Sequence, residues 1–199
     1  MEYDEYRFSK DIDFLFPYGT EHYRYLRNLI YDDGIAALFI NPTNIKLGDS
    51  TANQYGIRFP VTVHGTTIKV EIVANGNFNL DPPVYPQWAN IPCLSISDRF
   101  TSKLMANADR WNDTSTQSRD LIDLAILRVN NDIPAGAISK AEASYEVRSP
   151  LIRSINQFLK NTEYSQKCFQ ELSVNEEKIP IIMNGIDLLF VDFKKNLSR

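Results

Sequence analysis

Histidine and cysteine are scarce in this chain of 199 residues, which contains two of each. Cys93 and Cys168 are too far apart in the sequence to read as a chelating pair, and we expect two reduced thiols in a cytosolic protein. His22 and His64 give little support to a histidine-based zinc site or to a Ser-His-Asp triad. Any catalytic chemistry is therefore expected to use other side chains.

Long apolar runs are also missing. No run approaches the ~20 apolar residues that a membrane-spanning helix needs. The first seven residues contain no apolar stretch of the kind found in a signal peptide. We therefore expect a soluble, cytoplasmic protein that is not associated with a membrane.

The chain has no excess of positive charge. Its formal net charge is -4, and the acidic excess falls within the first 95 residues. Proteins that coat nucleic acid without specificity depend on many phosphate contacts from lysine and arginine. The composition excludes that class of protein but is compatible with a small basic site.

The residues that are present predict an α+β fold. Apolar residues make up 43% of the chain and charged residues 23%, which is typical of a packed globular protein. Over residues 1–95 the patterns predict a mixed β-sheet core with flanking helices. Over residues 96–199 amphipathic patterns predict an all-helical half, which we treat as a second region.

Local signals place the first elements of the sheet region. Residues 11–16 predict a buried strand with Ile12 and Phe14 in the core. Thr20 is a predicted N-cap for a helix that runs to about Asp32. Residues 35–40 predict a second buried strand, and residues 41–55 a polar loop.

Two alternating segments, 57–63 and 66–74, predict a pair of half-buried strands joined by a tight turn at His64-Gly65. A last short strand is expected at 91–94. Helices are expected at about 98–109, 119–129, 137–145, 150–160 and 175–196.

Two aspartates open the first predicted strand. Asp11 and Asp13 are two residues apart, so on a strand both side chains leave the same face. Paired carboxylates repel each other, and a cation relieves that repulsion. Mg²⁺ is the natural candidate, because it is usually held by one or two carboxylates plus substrate phosphates. Glu71 adds a third acid to this face if its strand lies beside the first, and such a cluster can hold metal and accept a proton from an attacking hydroxyl.

Two other interpretations of the Asp-x-Asp triplet are open. Such triplets are common, and two acids on a solvated edge or turn are the simplest explanation of one taken alone. The polar lead-in, the apolar strand that follows and the acid within a later apolar run favour a site instead. An aspartyl nucleophile of the phosphatase type fits poorly, because its apolar strand precedes the first aspartate, whereas here the strand follows.

Four segments, in order, resemble one family. Residues 7–14, Arg-Phe-Ser-Lys-Asp-Ile-Asp-Phe, resemble the R-x-S-x-D-I-D-F signature of the AbiEii/AbiGii toxin-like branch of the nucleotidyltransferase superfamily. Residues 68–72 resemble its third-carboxylate strand. Lys103-Leu104-x-Ala106 and Arg119-Asp120-Leu121-Ile122-Asp123-Leu124, with residues 91–95 before them and Arg110 between them, resemble its helical block. The matches cover about residues 7–128 and imply a nucleotidyltransferase-like core.

The resemblance implies an enzyme that moves a nucleotide monophosphate from an NTP to an acceptor hydroxyl, on tRNA or protein. It implies Mg²⁺ or Mn²⁺ as cofactor and a cognate antitoxin as partner. Asp11, Asp13 and Glu71 are then metal ligands, and Lys103 joins them in catalysis as a point charge for the triphosphate. The implied substrate-binding residues are Ser9, Lys10, Lys103, Arg110, Arg119, Asp120 and Asp123.

The helical block allows a second interpretation. Asp120 and Asp123 are three residues apart on a predicted helix and share a face, so either of them can orient Lys103 or Arg110. The alternative is a buried ion-pair cluster that fixes the helices to the sheet. The two interpretations differ in whether the lysine serves substrate binding or stability.

Two departures from the family pattern bear on activity. The third acid is Glu71, where family members usually have Asp. The family's Gly-Gly or Gly-Ser turn, which holds the triphosphate upstream of the acids, is absent from the ten residues before Asp11. Either the natural start lies upstream or the chain is an impaired relative, and we expect poor nucleotide transfer by the chain as given. The alternative function is a non-catalytic family member that binds a nucleotide or a protein.

Overall fold

A computed structural model of the protein describes residues 5–9, 11–88 and 90–195. The chain forms two compact units. One is Ser9–Asn79, which contains the β-sheet. The other joins the short segment 5–8 to the chain from Leu80 onward and is mainly helical. The sequence pattern places the change of architecture near residue 95, whereas the two units divide at residues 79 and 80.

A mixed sheet of five strands forms the core of the first unit. The elements are β1 (Asp11–Pro17), α1 (Glu21–Asp33), β2 (Ile45–Leu47), β3 (Thr51–Ala52), β4 (Gly56–Val63) and β5 (Thr66–Asn75). The strand order is β1-β5-β4-β2, with β3 beside β4. β1 runs parallel to β5, and the other pairs are antiparallel.

The hairpin of β4 and β5 confirms the predicted alternation. Its turn residues, His64 and Gly65, have φ values of 49° and 82°, the left-handed conformation that a two-residue hairpin turn requires. The period of two then directs the apolar residues of both strands to one face and the charged residues to the other. The buried members of the apolar face are Ile57, Phe59, Val61 and Val70.

Helix α1 packs on that apolar face. The Thr20 hydroxyl accepts a hydrogen bond from the Tyr23 amide at 3.3 Å, as the N-cap prediction requires. Gly34 ends the helix with φ of 77°. Tyr23 and Ile30 of the helix are buried against the sheet. The helix start and the helix end therefore follow from the sequence.

Three predictions for this unit are wrong. Residues Ile35–Leu38 form a 3₁₀ helix and not a strand, because the chain folds on itself after Gly34 and the Phe39 amide donates to Ala36. Short strands β2 and β3 arise where a loop was expected. Ile12 and Phe14 lie on the apolar side of the sheet but are 44% and 36% exposed, because β1 is an edge strand of the described sheet.

The second unit is helical, and residues 96–195, which the structure describes in full, include no strand. The expected strand at 91–94 is reduced to one bridge between Val84 and Cys93. The helix at Thr162–Glu171 has no counterpart among the predicted helices. Within the described residues no helix is long and apolar enough to cross a membrane. The helices are α2 (Ile96–Arg110), α3 (Arg119–Asn130), α4 (Ala135–Glu142), α5 (Arg148–Lys160), α6 (Thr162–Glu171) and α7 (Ile179–Lys195).

A partly buried ion-pair network links the chain that begins at Leu80 to this unit. The Lys140 ammonium lies 2.7 Å from a carboxylate oxygen of Asp81 and 2.7 Å from one of Asp98. Asp98 is fully buried, and its other oxygen accepts a hydrogen bond from the Asp81 amide at 2.7 Å. The network ties the segment before α2 to both α2 and α4.

Helices α3 and α7 pack closely at Gly185. A Cβ atom at this position would lie 2.7 Å from the carbonyl carbon of Ala125, which is backbone and cannot rotate away. We expect Gly185→Ala to lower the free energy of unfolding by about 1–3 kcal/mol through overpacking. Urea denaturation followed by circular dichroism measures the change.

Gly136→Ala is the matched control, because Gly136 also lies in a helix and a Cβ there meets no atom within 4 Å. That change is expected to stabilise by about 0.4–1 kcal/mol, since alanine restricts the unfolded chain. Equal effects of the two substitutions would contradict close packing at Gly185.

Candidate functional site

The two aspartates of β1 share one face of the sheet. Asp13 is in register with Glu71 of the parallel strand β5, and Asp11 is in register with Lys69. Side chains in register on neighbouring strands point to the same face. The structure therefore places Asp11, Asp13 and Glu71 together on the charged face, opposite the buried apolar face. We call this surface the acid face.

Two cations lie on the acid face beside Glu71. One oxygen of the Glu71 carboxylate accepts from Lys69 at 2.6 Å and from the Arg58 guanidinium at 3.0 Å. The hydrogen bond from Lys69 is the main reason that the pKa of Glu71 lies below its ordinary value. Glu71 is 20% exposed, whereas Lys69 and Arg58 are 53% and 41% exposed. The third acid is therefore neutralised by protein side chains.

The acid face fits a divalent metal in part. Asp11 and Asp13 are exposed hard-oxygen donors on one face, which is the donor chemistry that Mg²⁺ and Mn²⁺ prefer. Within the described residues, no three His, Cys, Asp or Glu side chains are grouped closely enough to hold a metal ion. The two aspartates could hold the ion, and Glu71 would join them by giving up contacts to Lys69 and Arg58.

A second cluster of charges lies in the helical unit around Asp123. The Asp123 carboxylate is 4% exposed and accepts hydrogen bonds from Nε and Nη2 of Arg7, at 2.7 and 2.8 Å. It also accepts the Tyr6 hydroxyl at 2.7 Å and the Lys103 ammonium at 2.6 Å. Four donated hydrogen bonds from three residues satisfy this buried acid, as a carboxylate held inside a protein requires.

Burial and charge oppose each other at this cluster. Burial alone would raise the pKa of Asp123, but the charges of Lys103 and Arg7 outweigh it and hold the pKa well below its usual range. At Lys103, burial favours the neutral amine, yet the carboxylates of Asp123 and Asp120 raise the pKa above the ordinary value. Asp123, Lys103 and Arg7 are therefore ionised at neutral pH.

Asp120 organises the other side of the cluster. Its carboxylate binds Arg110 through two hydrogen bonds, from Nε at 2.6 Å and from Nη2 at 2.9 Å. It also lies 3.6 Å from the Lys103 ammonium. The i, i+3 spacing of Asp120 and Asp123 on α3 thus serves both cations, as the sequence indicates. Arg119 forms no ion pair within the residues that the structure describes.

The Asp123 cluster lines a cleft of about 180 Å³ in the helical unit. Tyr6, Lys103 and Asp123 supply its polar wall, and Ile126 and Leu127 are among its apolar lining. The Lys103 side chain is one-third exposed, and its ammonium is paired with Asp123 at the cleft. The cleft can admit part of an anionic ligand.

The remaining predicted site residues are placed as follows. The Ser9 hydroxyl donates to the Asp11 carbonyl at 3.3 Å, and Lys10 lies outside the described residues. The prediction omitted Tyr6 and Arg7 from the site, although Arg7 opens the segment that resembles the family signature. The Phe8 amide donates to Leu172 and the Asn175 amide to Tyr6, which holds this segment in the helical unit.

Comparison with known proteins identifies the family. The model of the family described as "Nucleotidyl transferase AbiEii toxin, Type IV TA system" matches residues 1–180. The chain belongs to this family. Membership in the AbiEii family agrees with the mixed sheet and helical half described above, and it makes the chain a member of a toxin family of type IV toxin-antitoxin systems.

One solved structure is similar to this AbiEii family member. The crystal structure of JHP933 from Helicobacter pylori aligns with a TM-score of 0.54 and 16% sequence identity, over 98% of this chain and 82% of that chain. At this identity the similarity concerns the fold alone. No curated protein matches the chain.

Proposed function

We propose that this AbiEii family member is a metal-dependent nucleotidyltransferase. The observation that carries the proposal is the register of β1 and β5, in which Asp13 is paired with Glu71 and Asp11 lies on the same face of the sheet. Family membership supports the same reaction class. The proposed reaction transfers a nucleotide monophosphate from an NTP to a hydroxyl of tRNA or of a protein.

The reaction balances as a substitution at the α-phosphorus. The acceptor hydroxyl oxygen forms a bond to the α-phosphorus, the bond from that phosphorus to the bridging oxygen breaks, and pyrophosphate leaves. The hydroxyl proton passes to a carboxylate of the acid face. A bound Mg²⁺ or Mn²⁺ would neutralise phosphate charge there. Asp11 and Asp13 are its proposed ligands, together with Glu71 once its ion pairs open.

The Asp123 cluster supplies the proposed substrate-binding side chains. Lys103 and Arg110 are each one-third exposed, so they can meet a phosphate while their paired acids hold them in place. Ion pairing of this kind orients a cation without consuming all of its donors. The full proposed set is Ser9, Lys10, Lys103, Arg110, Arg119, Asp120 and Asp123.

A second function is favoured by one observation. Glu71, the third acid, is already neutralised by Lys69 and Arg58. A family member whose acid face is occupied by its own cations would bind a nucleotide or a partner protein, such as a cognate antitoxin, without transferring a nucleotide. The two functions differ in whether a divalent metal binds at Asp11 and Asp13.

Metal binding to the acid face should raise the melting temperature, because a ligand that binds only the folded state stabilises it by mass action. We expect Mn²⁺ or Mg²⁺ to stabilise the wild type by up to about 3 kcal/mol at 100 times the dissociation constant. The Asp11→Asn/Asp13→Asn double variant should show no such shift. Differential scanning fluorimetry with and without EDTA measures the effect.

The control is Asp32→Asn/Asp49→Asn, which removes the same charge from two exposed aspartates elsewhere in the unit. This variant should keep the full metal-dependent shift. A wild-type protein that neither metal stabilises would favour the non-catalytic function, and an unchanged shift in the Asp11/Asp13 double variant would place the metal elsewhere.

A further inference from the structure

A small cleft lies in the sheet unit beyond the carboxyl end of β1. Its volume is about 130 Å³, and it is lined by residues of the β1–α1 turn, of α1 and of the turn before β4, including Tyr18, Arg24, Arg27 and Gln54. Sites for whole small molecules measure roughly 300–1,000 Å³. This cleft therefore fits one group of a ligand, such as a phosphate. We call it the arginine cleft.

The arginine cleft is separate from the acid face. Asp13 and Pro17 are four residues apart on β1, which corresponds to about 13 Å along a strand. The β1–α1 turn that lines the cleft starts only after Pro17. A group bound between these arginines would therefore not contact Asp13.

Two cations of the cleft have no acidic partner among the residues that the structure describes. Arg24 and Arg27 lie three residues apart on α1 and so project from neighbouring positions of the helix. Neither forms an ion pair or a side-chain hydrogen bond within the described residues, although Glu21 lies on the same helix. Arg27 is half-buried. Two neighbouring guanidinium groups without an acidic partner among the described residues repel each other, and a bound anion relieves that repulsion, so the pair favours an anionic ligand.

The surroundings of the cleft add to its positive potential. Its floor includes Gly19 and Thr20, which precede the first turn of α1, where the helix dipole favours negative charge. Burial raises the pKa of Tyr23, and the charge of Arg27 opposes that rise, so the Arg27 guanidinium lies near Tyr23, which also lines the cleft. Two guanidinium groups therefore lie at one cleft of an otherwise acidic protein.

The cleft also presents groups that contact nucleotides in other ways. The Gln54 amide offers two further donors, and side chains of this kind commonly contact phosphate oxygens. Tyr18 at the rim is 57% exposed, so its ring has a free surface on which a base can stack. Arginine forks bind phosphate through two parallel hydrogen bonds.

We propose that the arginine cleft binds a phosphate group through Arg24 and Arg27. The phosphate is carried either by a free nucleotide or by the backbone of an RNA strand. The inference requires neither metal nor nucleotide transfer, so it stands or falls apart from the proposed function. Nothing at the acid face takes part in it.

The test measures binding in EDTA, where no metal contributes. Fluorescence anisotropy with a labelled single-stranded RNA of 20 nucleotides and isothermal titration with ATP give two independent affinities. Arg24→Ala/Arg27→Ala should weaken one of them by at least ~10-fold at low salt. If RNA is the ligand, the slope of log affinity against log salt should also fall by about one per arginine.

The matched control is Arg153→Ala/Lys160→Ala, which removes the same charge from two exposed cations of α5 that form no ion pair within the described part of the chain. A second variant, Arg24→Lys/Arg27→Lys, keeps the charge but loses the bidentate geometry and should bind with intermediate affinity. Alanine is the best helix former, so α1 should persist, and circular dichroism checks this.

The RNA and ATP probes distinguish the two sources of the phosphate. Loss of RNA binding alone assigns a polynucleotide backbone to the cleft, and loss of ATP binding alone assigns a free nucleotide. The proposal is overturned if the wild type binds neither probe, if the alanine variant binds both as the wild type does, or if the α5 control loses as much affinity.

Discussion

The Asp123→Asn variant is expected to lose about 3–5 kcal/mol of unfolding free energy at neutral pH, the usual cost of removing one partner from a buried ion pair. The carboxylate is 4% exposed and receives hydrogen bonds from Tyr6, Arg7 and Lys103. Its amide replacement has the same shape but no charge and only one acceptor oxygen. Arg7, at 15% exposure, would be left as a poorly solvated cation without a counter-ion.

The pKa shifts of Asp123 and Lys103 determine the pH range over which this loss of stability is expected. Because the pKa of Asp123 is lowered on folding, its contribution is fully present above the ordinary carboxyl pKa of about 4 and is lost as the pH falls through the lower folded value. The pKa of Lys103 is raised on folding, so its contribution is fully present below its ordinary pKa of about 10.4 and is lost as the pH rises through the higher folded value. The difference in unfolding free energy between the variant and the wild type should be constant from about pH 5 to 9 and should decrease below about pH 4.

Asp132→Asn is the control for this experiment. Asp132, just after α3, also pairs with an arginine, at 3.1 Å from Arg128 of that helix, but the Asp132 side chain is 96% exposed. An exposed pair of this kind contributes about 0–1 kcal/mol. Urea titrations at several pH values compare the two variants. If Asp123→Asn costs no more than Asp132→Asn, the Asp123 cluster does not hold the helical unit together.

Local sequence signals predicted the parts of the fold that depend on neighbours in the chain. The Thr20 cap and the His64-Gly65 turn are examples, since each acts over three or four residues. The apolar run at residues 35–40 does not form the predicted strand, because a strand also needs a partner, which only the tertiary structure supplies. The exposure of Ile12 and Phe14 likewise depends on β1 lying at an edge of the described sheet.

The candidate site also combines features that local sequence signals predict with features that depend on the tertiary structure. The common face of Asp11 and Asp13 follows from the period of a strand, but the place of Glu71 beside them required the parallel pairing of β1 with β5. The partners of Glu71 were within reach of prediction, because Lys69 shares its face and the hairpin register sets Arg58 opposite it. The pairing of Arg7 with Asp123 spans 116 residues and carries no local signal.

The largest functional effect is expected from Asp13→Asn. Transfer of a nucleotide monophosphate depends on positioning and on neutralising phosphate charge, because the protein performs little covalent chemistry itself. Asp13 lies beside Glu71 at the centre of the acid face. Loss of one preorganised electrostatic group commonly lowers the rate of such a step by about 10²–10³-fold. We expect a decrease of this size with little change in stability, because Asp13 is exposed.

The measurement is transfer of label from each of four α-³²P NTPs to bulk tRNA or to total protein, with Mg²⁺ or Mn²⁺, and with pyrophosphate release counted in parallel. Asp49→Asn, at an exposed aspartate outside the acid face, should transfer at the wild-type rate. Equal transfer by Asp13→Asn and the wild type would remove the acid face from the mechanism. If the wild type labels neither acceptor with any NTP, while binding NTP or a partner protein, the non-catalytic function is the correct one, and the ion pairs of Lys69 and Arg58 with Glu71 then give its structural basis.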